Sequence, residues 1–251
     1  MASTVPMRSG NPALGADTFL RAPSVSGAEP MTLGGTVNKT ALSLFILLIT
    51  AGYVWNRGAN DPALPMWILG SVIAGFILAL VTVFKKTWAP MTTPAYAAVE
   101  GVALGGISVV FESQYPGIVS QAVFLTFGTL GALLLAYRSG VIKATENFKL
   151  GIFAATGGIA LLYLVSFVLS FFGASVPLIH SSGTWGILFS VFVVVIAALN
   201  LVLDFDFIET GVQRGAPKYM EWYGAFGLLV TLVWLYLEIL RLLAKLQSRR
   251  D

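Results

Sequence analysis

Three carboxylates follow a long apolar segment near the carboxy-terminal end of the chain. Asp204, Asp206 and Glu209 come after the run Val-Phe-Val-Val-Val-Ile-Ala-Ala-Leu-Asn-Leu-Val-Leu, which begins at Val191. A carboxylate inside a membrane helix, or at its end, is costly to place there and normally has a partner, a proton or an ion to justify its position. The sequence therefore predicts a proton-binding or cation-binding function for this cluster.

Helical spacing separates the two aspartates of the cluster. Asn200 precedes Asp204 by one turn, so these two side chains share one helix face. Asp206 lies about 200° around a helix of 3.6 residues per turn from Asp204. The two acids are therefore not a chelating pair unless the helix unwinds. The alternative is that both are solvated at the membrane surface or paired with Arg214 and Lys218.

Three further acids are candidates for the same ion or proton site. Glu100 is either a helix-end acid that reaches the membrane surface or a ligand that faces the interior. Glu238 precedes Arg241 by three residues, a spacing at which the two side chains pair on a helix surface. Glu221 and Asp204 lie at similar distances on either side of the last turn, which places them at matching height in a helical hairpin.

A second carboxylate near Asp204 would give the site its chemistry. Burial and like charge both disfavour ionising the second group, so the two side chains can share one proton. A divalent cation would compete with that proton, which makes Asp204 the candidate ligand for such a cation. Such a site needs no covalent chemistry, and we expect no cofactor beyond the bound cation.

The composition of the chain indicates the class of protein to which these acids belong. Of 251 residues, 57% are hydrophobic and 11% are charged, against about 25% charged residues in a typical soluble domain. The mean hydropathy is +0.83. We predict an all-α polytopic membrane protein without a nucleic-acid partner. Cysteine is absent and His180 is the single histidine, so thiolate and His-based metal sites are excluded and enzymatic activity is not expected.

Seven apolar segments approach the ~20 residues that cross the hydrocarbon of a bilayer. They are 41–55, 65–84, 95–111, 118–137, 150–172, 185–204 and 222–243. Their short connections predict one seven-helix transmembrane domain over residues 38–246. Residues 1–37 are rich in Ser, Gly, Pro and Ala, which predicts a flexible tail, and residues 247–251 form a short basic tail.

Basic residues in the loops predict the orientation. Eight lysines and arginines lie on the side of the amino terminus, and the opposite loops contain only Arg57. The positive-inside rule therefore places the amino terminus in the cytoplasm, and seven crossings place the carboxy terminus outside. Arg241, Lys245, Arg249 and Arg250 near the end favour the cytoplasm instead, so a re-entrant last segment is the alternative.

Small residues predict where helices approach each other closely. Gly101 and Gly105 form a GxxxG pair in the third segment, with Gly106 adjacent, and Ser71 and Gly75 repeat the spacing in the second. Residues of this size let helix backbones come into contact.

Three segments and the seven-span layout carry a family resemblance. The segments are Pro94-Ala-Tyr-Ala-Ala-Val-Glu-Gly-Val-Ala-Leu-Gly-Gly-Ile-Ser, Leu203-Asp-Phe-Asp-Phe-Ile and Leu235-Tyr-Leu-Glu-Ile-Leu-Arg-Leu-Leu. In these features residues 38–246 resemble the Bax inhibitor-1 family, and in particular its bacterial YccA-like branch.

The resemblance implies a seven-helix bundle with a central last helix and a pH-sensitive calcium leak channel. In such channels two aspartates, one on span six and one on span seven, share a proton. Asp204 matches the first, whereas the second position holds Thr231 or Glu238, depending on the register. The standard pair is therefore absent or displaced, and Glu221 or Asp206 is the candidate replacement. The second span also lacks the basic residue with which some members latch the pair.

Two functions from different classes follow. The first is a passive, pH-modulated cation (Ca²⁺) leak protein of the bacterial inner membrane, centred on Asp204. The second is a membrane regulator that acts by protein contact, because the YccA-like branch is associated with restraining a membrane-embedded AAA protease. The expected partners are the lipid bilayer and such a protease or another membrane protein. A proton-coupled transporter ranks third, since no inverted repeat or pair of broken helices is visible.

Overall fold

Seven long α-helices account for most of residues 29–173 and 181–249, which are the residues described by the structure, a computed structural model. The helices are α1 Leu33–Trp55, α2 Leu64–Phe84, α3 Ala89–Gln114, α4 Ile118–Arg138, α5 Glu146–Ser170, α6 Thr184–Gln213 and α7 Met220–Ser248, and a 3₁₀ turn, Lys86–Trp88, leads into α3. Each is long and apolar enough to cross a membrane. The all-helical fold and the seven predicted spans are confirmed for this part of the chain. His180 and residues 1–28 of the predicted tail lie outside it.

The first helix begins at Leu33, earlier than the apolar run indicates. Thr32 caps it: its side-chain oxygen accepts a hydrogen bond from the backbone N–H of Gly35 at 3.0 Å. Such a cap satisfies one of the N–H groups that the first turn leaves without an intrahelical partner. Residues 33–37, which composition alone assigns to the tail, are therefore helical.

The sixth helix continues well beyond the predicted end of its span at residue 204. α6 runs without interruption to Gln213. Phe205, Phe207 and Ile208 are all buried in this extension, and their burial stabilises the helix beyond the first acid of the cluster. Asp204 is thus inside a helix rather than at its end.

Large apolar side chains are exposed on the least buried helices. In α1, α2, α4 and α5 only 17% of the most apolar stretch is buried, against 50% in α3 and α6 and 67% in α7. Phe45, Phe76, Phe124 and Phe167 are each more than half exposed. An apolar surface of this extent is unfavourable in water and is matched by lipid acyl chains. The most buried helix, α7, is also the one in which buried acids are most frequent.

The helices form two compact units within the described chain. The first unit comprises residues 29–116 and 206–230, and the second comprises 117–173, 181–205 and 231–249. The helices α1, α2 and α3 belong to the first unit, and α4 and α5 belong to the second. α6 and α7 contribute residues to both.

In the first unit, α1 and α2 pack on α3, and glycines on α3 make the contact close. A Cβ atom at Gly105 would lie 2.5 Å from the carbonyl oxygen of Ala51 in α1, and one at Gly101 would lie 2.3 Å from another α1 carbonyl. On the side of α2, a Cβ at Gly106 would lie 2.5 Å from Cγ1 of Ile68. Only glycine fits at these distances, which confirms the predicted packing face.

In the second unit, α5 and α6 pack through branched aliphatic side chains. The buried residues of this contact are Ile152 and Ile159 on α5 and Val193, Ile196 and Leu203 on α6. Trp234 of α7 packs against the same cluster. This apolar contact holds the part of α6 that carries Asn200 and Asp204 firmly against α5.

Candidate functional site

Asp204 is completely buried, with 0% of the residue exposed. Its neighbours in the chain, Leu203 and Phe205, are 2% and 8% exposed. Because α6 is unbroken here, Asp206 lies about 200° around the helix from Asp204, and it is only partly buried. The helical spacing therefore separates the two acids as the sequence predicts, and Asp204 is the more deeply enclosed of the two.

Asn200 lies one turn before Asp204 on the same face of α6 and is 1% exposed. Its Nδ2 donates to Thr156 Oγ1 of α5 at 2.9 Å and to the carbonyl oxygen of Ile196 at 2.8 Å. A backbone carbonyl can only accept, so the atom facing it is the amide nitrogen. The side-chain oxygen Oδ1 has no hydrogen-bond partner among the described residues.

Glu221 is buried in the first turn of α7, with 0% of the residue exposed. Its Oε1 accepts hydrogen bonds from the backbone N–H of Thr32 at 2.9 Å and from the Thr32 hydroxyl at 2.8 Å. Its Oε2 pairs with Lys39 of α1. Lys218 Nζ lies 3.3 Å from Glu221 Oε1 and 3.5 Å from Glu29 Oε2, and the hydrogen bond to Glu221 raises the pKa of Lys218.

These contacts show that Glu221 attaches the beginning of α1 to the beginning of α7. Its partners here are hydrogen-bond donors and cations, and the predicted pairing with Asp204 stays a prediction. Two backbone contacts extend the attachment. Met31 N–H donates to the carbonyl of Ala216 at 2.7 Å, and Pro30 and Pro217 form an isolated antiparallel β-bridge. The residues just before α1 are therefore part of the first unit.

Glu238 and Arg241 form the pair that their spacing predicts. Arg241 Nη1 lies 2.9 Å and 3.0 Å from the two oxygens of Glu238. Tyr163 of α5 completes the group, because its hydroxyl donates to Glu238 Oε1 at 2.9 Å and accepts from Arg241 Nη1 at 2.7 Å. Glu238 is 1% exposed. This arrangement holds α5 and α7 together in the second unit and favours the structural interpretation of Glu238.

Glu100 is partly buried in α3, at the contact with α2. Its Oε2 lies 2.9 Å from the position that a Cβ at Gly75 would take. One turn earlier, Tyr96 is 5% exposed and packs edge-on against Phe226, with ring centroids 5.1 Å apart. The small residue at position 75 therefore provides the space that this carboxylate occupies between two helices.

The five candidate acids are divided between the two units. Asp204 and Glu238 belong to the second unit, and Glu100, Asp206 and Glu221 belong to the first. Over residues 29–173 and 181–249, no three His, Cys, Asp or Glu side chains lie close enough together to hold a metal ion. Ca²⁺ takes about six to eight oxygen ligands, so an ion at Asp204 would need neutral protein oxygens and water to complete its shell.

Several partners of these acids could not be predicted from the sequence alone. Thr32 and Glu221 are 189 residues apart, and Tyr163 and Glu238 are 75 apart. Thr156 looks like an ordinary residue of an apolar span. The signals that are visible in the sequence are local: Asn200 lies one turn before Asp204, and Arg241 follows Glu238 by three residues.

Comparison with known proteins supports one family. A family model described as Bax inhibitor 1 like matches residues 11–248, a range that includes all seven described helices. Comparisons with curated proteins and with solved structures gave no match. The assignment to the bacterial YccA-like branch stays a prediction.

Proposed function

The chain belongs to the Bax inhibitor 1-like family and is an integral membrane protein, and we propose on this basis that it is a pH-modulated cation leak protein that conducts Ca²⁺ under the control of Asp204. One observation carries the proposal. Asp204 is fully buried inside an unbroken helix that is long enough to span a membrane. An ionisable group in this position is expensive, and it is typical of an ion path or a proton relay.

Competition between a proton and a cation for one carboxylate gives the proposed pH response. The ionised Asp204 attracts a cation, and protonation removes the charge and with it most of the attraction. Conduction requires that a site bind strongly enough for the ion to enter and weakly enough for it to leave. A single buried carboxylate supported by neutral oxygens fits that requirement better than a cluster of acids would.

We place the protein in the bacterial inner membrane with its amino terminus in the cytoplasm. The asymmetry of Lys and Arg between the loops supports this orientation. The 29 residues of α7 span about 43 Å at 1.5 Å per residue, more than the ~30 Å of a bilayer core, which supports a full crossing by the last helix. Lys245, whose charge favours the cytoplasmic side, is 6% exposed and donates to Gly186 O and Ser190 Oγ, so its charge is held within the fold.

Flux measurements in proteoliposomes test the proposal. A calcium dye inside the vesicles reports entry of Ca²⁺ at a series of pH values, for the wild type, Asp204→Asn and Asp206→Asn. We expect pH-dependent entry in the wild type, loss of the pH dependence in Asp204→Asn, and near-normal behaviour in Asp206→Asn, whose side chain lies on another side of α6. The absence of flux at every pH, or flux unchanged by Asp204→Asn, would contradict the proposal. Regulation by protein contact would then be tested by cross-linking to a membrane-embedded AAA protease.

A further inference from the structure

The contact between α5 and α6 holds a polar atom whose burial has no structural explanation. Asn200 is 1% exposed, and its Oδ1 makes no hydrogen bond within the described chain. Ala197 and Leu201, on either side of it in the sequence, are both 0% exposed. An unsatisfied amide oxygen in apolar surroundings is costly, and an aliphatic side chain would pack there without this cost. The oxygen is expected to serve a ligand.

The structure fixes the direction of this oxygen. A primary amide has two N–H hydrogens, and both have acceptors here: Thr156 Oγ1 at 2.9 Å and the carbonyl of Ile196 at 2.8 Å. A flip of the Asn200 amide would place Oδ1 against the carbonyl oxygen of Ile196, which can only accept, so the observed orientation is favoured. Thr156 comes from α5, so the neighbouring helix holds the amide and leaves Oδ1 as the available atom.

The spacing of Asn200 and Asp204 matches the size of a cation. Residues four apart on a helix are separated by about 6 Å along the axis, and both side chains lie on one face of α6. Ca²⁺ binds oxygens at about 2.3–2.6 Å and accepts both amide and carboxylate oxygens. One ion between the two side chains can therefore contact both.

We propose that Asn200 is a cation ligand, whose Oδ1 joins the carboxylate of Asp204 in binding one partly hydrated Ca²⁺, and that Thr156 is the residue that positions it. This inference rests on the proposed function and adds to it the second protein ligand of the ion. One carboxylate, one amide oxygen and several waters form a weak site from which the ion is readily released, as conduction requires.

Ca²⁺ binding to the purified full-length protein in detergent gives the first test. The first readout is the Ca²⁺ concentration that produces half of the maximal rise in melting temperature. The second is the Ca²⁺ concentration that gives half of the maximal flux when the same preparations are placed in liposomes. Asn200→Leu and Thr156→Val are expected to raise both concentrations by about tenfold or more, the usual loss when a ligand or its supporting partner is removed. Thr156→Ser, which retains the hydroxyl, is expected to restore the wild-type values.

Thr126→Val is the matched control. Thr126 is buried in α4, and its hydroxyl donates within its own helix, to Ala122 O at 2.7 Å, so this change removes a buried hydroxyl without affecting Asn200.

Wild-type Ca²⁺ concentrations for half-saturation in both Asn200→Leu and Thr156→Val would overturn the inference, even if Asp204→Asn abolishes the pH dependence of flux. Should Asn200→Leu not fold, the comparison of Thr156→Val with Thr156→Ser decides alone. Flux, its pH dependence and Ca²⁺ binding that are all equal to wild type in Asp204→Asn would instead overturn the proposed function.

Discussion

Thr32 donates both its backbone N–H and its hydroxyl to one oxygen of Glu221, at 2.9 Å and 2.8 Å, across 189 residues of chain. Lys39 binds the other oxygen of the same carboxylate. The cap and the second turn of α1 are thus joined to the first turn of α7 by a single buried acid. This contact gives Glu221 a structural role in the first unit and leaves the proposed ion chemistry to Asp204.

Replacement of Glu221 by alanine should destabilise the protein strongly. The change removes the acceptor for Thr32 and leaves Lys39 without its buried partner, and breaking a buried ion pair from one side costs about 3 kcal/mol. Thermal or denaturant unfolding in detergent micelles measures the effect. Glu29→Gln is the control, since Glu29 pairs with Lys218 at 3.5 Å but its side chain is 82% exposed, and exposed pairs contribute less than about 1 kcal/mol. Equal losses for the two variants would disprove the structural role.

Gly105→Ala should destabilise the packing of α1 on α3. The new methyl group would lie 2.5 Å from the carbonyl oxygen of Ala51, and forcing extra volume into a close contact costs about 1–3 kcal/mol. Gly128→Ala in α4 is the matched control, because no atom of the described residues, apart from the adjacent backbone of its own helix, lies within 4 Å of its Cβ position. In that position alanine should be neutral or stabilise the helix by up to about 1 kcal/mol. Gly105→Ala should therefore lower the melting temperature, and Gly128→Ala should leave it unchanged or raise it; an equal decrease in both variants would contradict the packing described.

Tyr163→Phe should loosen the contact between α5 and α7 without changing ion flux. The variant removes the hydroxyl that donates to Glu238 and accepts from Arg241, and a lost hydrogen bond to a charged group costs about 1.5–3 kcal/mol. Tyr53→Phe serves as the control, because Tyr53 is 51% exposed. Unfolding gives the stability and liposome assays give the flux. A change in the pH dependence of flux in Tyr163→Phe would show that Glu238 takes part in gating.

The sequence predicts the helices well because each apolar run is close to the length that a helix needs to cross a bilayer. It also predicts contacts that depend on local spacing, such as Glu238 with Arg241 and the close approach at Gly105. The sequence does not predict contacts between residues that are far apart in the chain. Thr32, a partner of Glu221, is 189 residues away from it and lies in a stretch whose composition resembles that of a flexible tail. The apolar run of span six ends at residue 204, whereas α6 continues to Gln213, because Phe205, Phe207 and Ile208 are buried beyond Asp204.

Labelling of single cysteines should report the predicted orientation. The chain contains no cysteine, so Asn60→Cys, between α1 and α2, and Ser139→Cys, between α4 and α5, provide exposed and unique thiols. A membrane-impermeant maleimide should label Asn60→Cys in intact bacterial spheroplasts and Ser139→Cys only after permeabilisation, because the basic loops are cytoplasmic. The reverse pattern would place the amino terminus outside.

Competition between Ca²⁺ and protons at Asp204 is the central claim, and the pH dependence of half-saturating Ca²⁺ tests it most directly. In wild-type liposomes the Ca²⁺ concentration for half-maximal flux should rise as the pH falls, since protonation removes the charge that attracts the ion. In Asp204→Asn, which cannot take up the proton, that concentration should be higher and independent of pH. An identical pH dependence in the wild type and in Asp204→Asn would contradict the account.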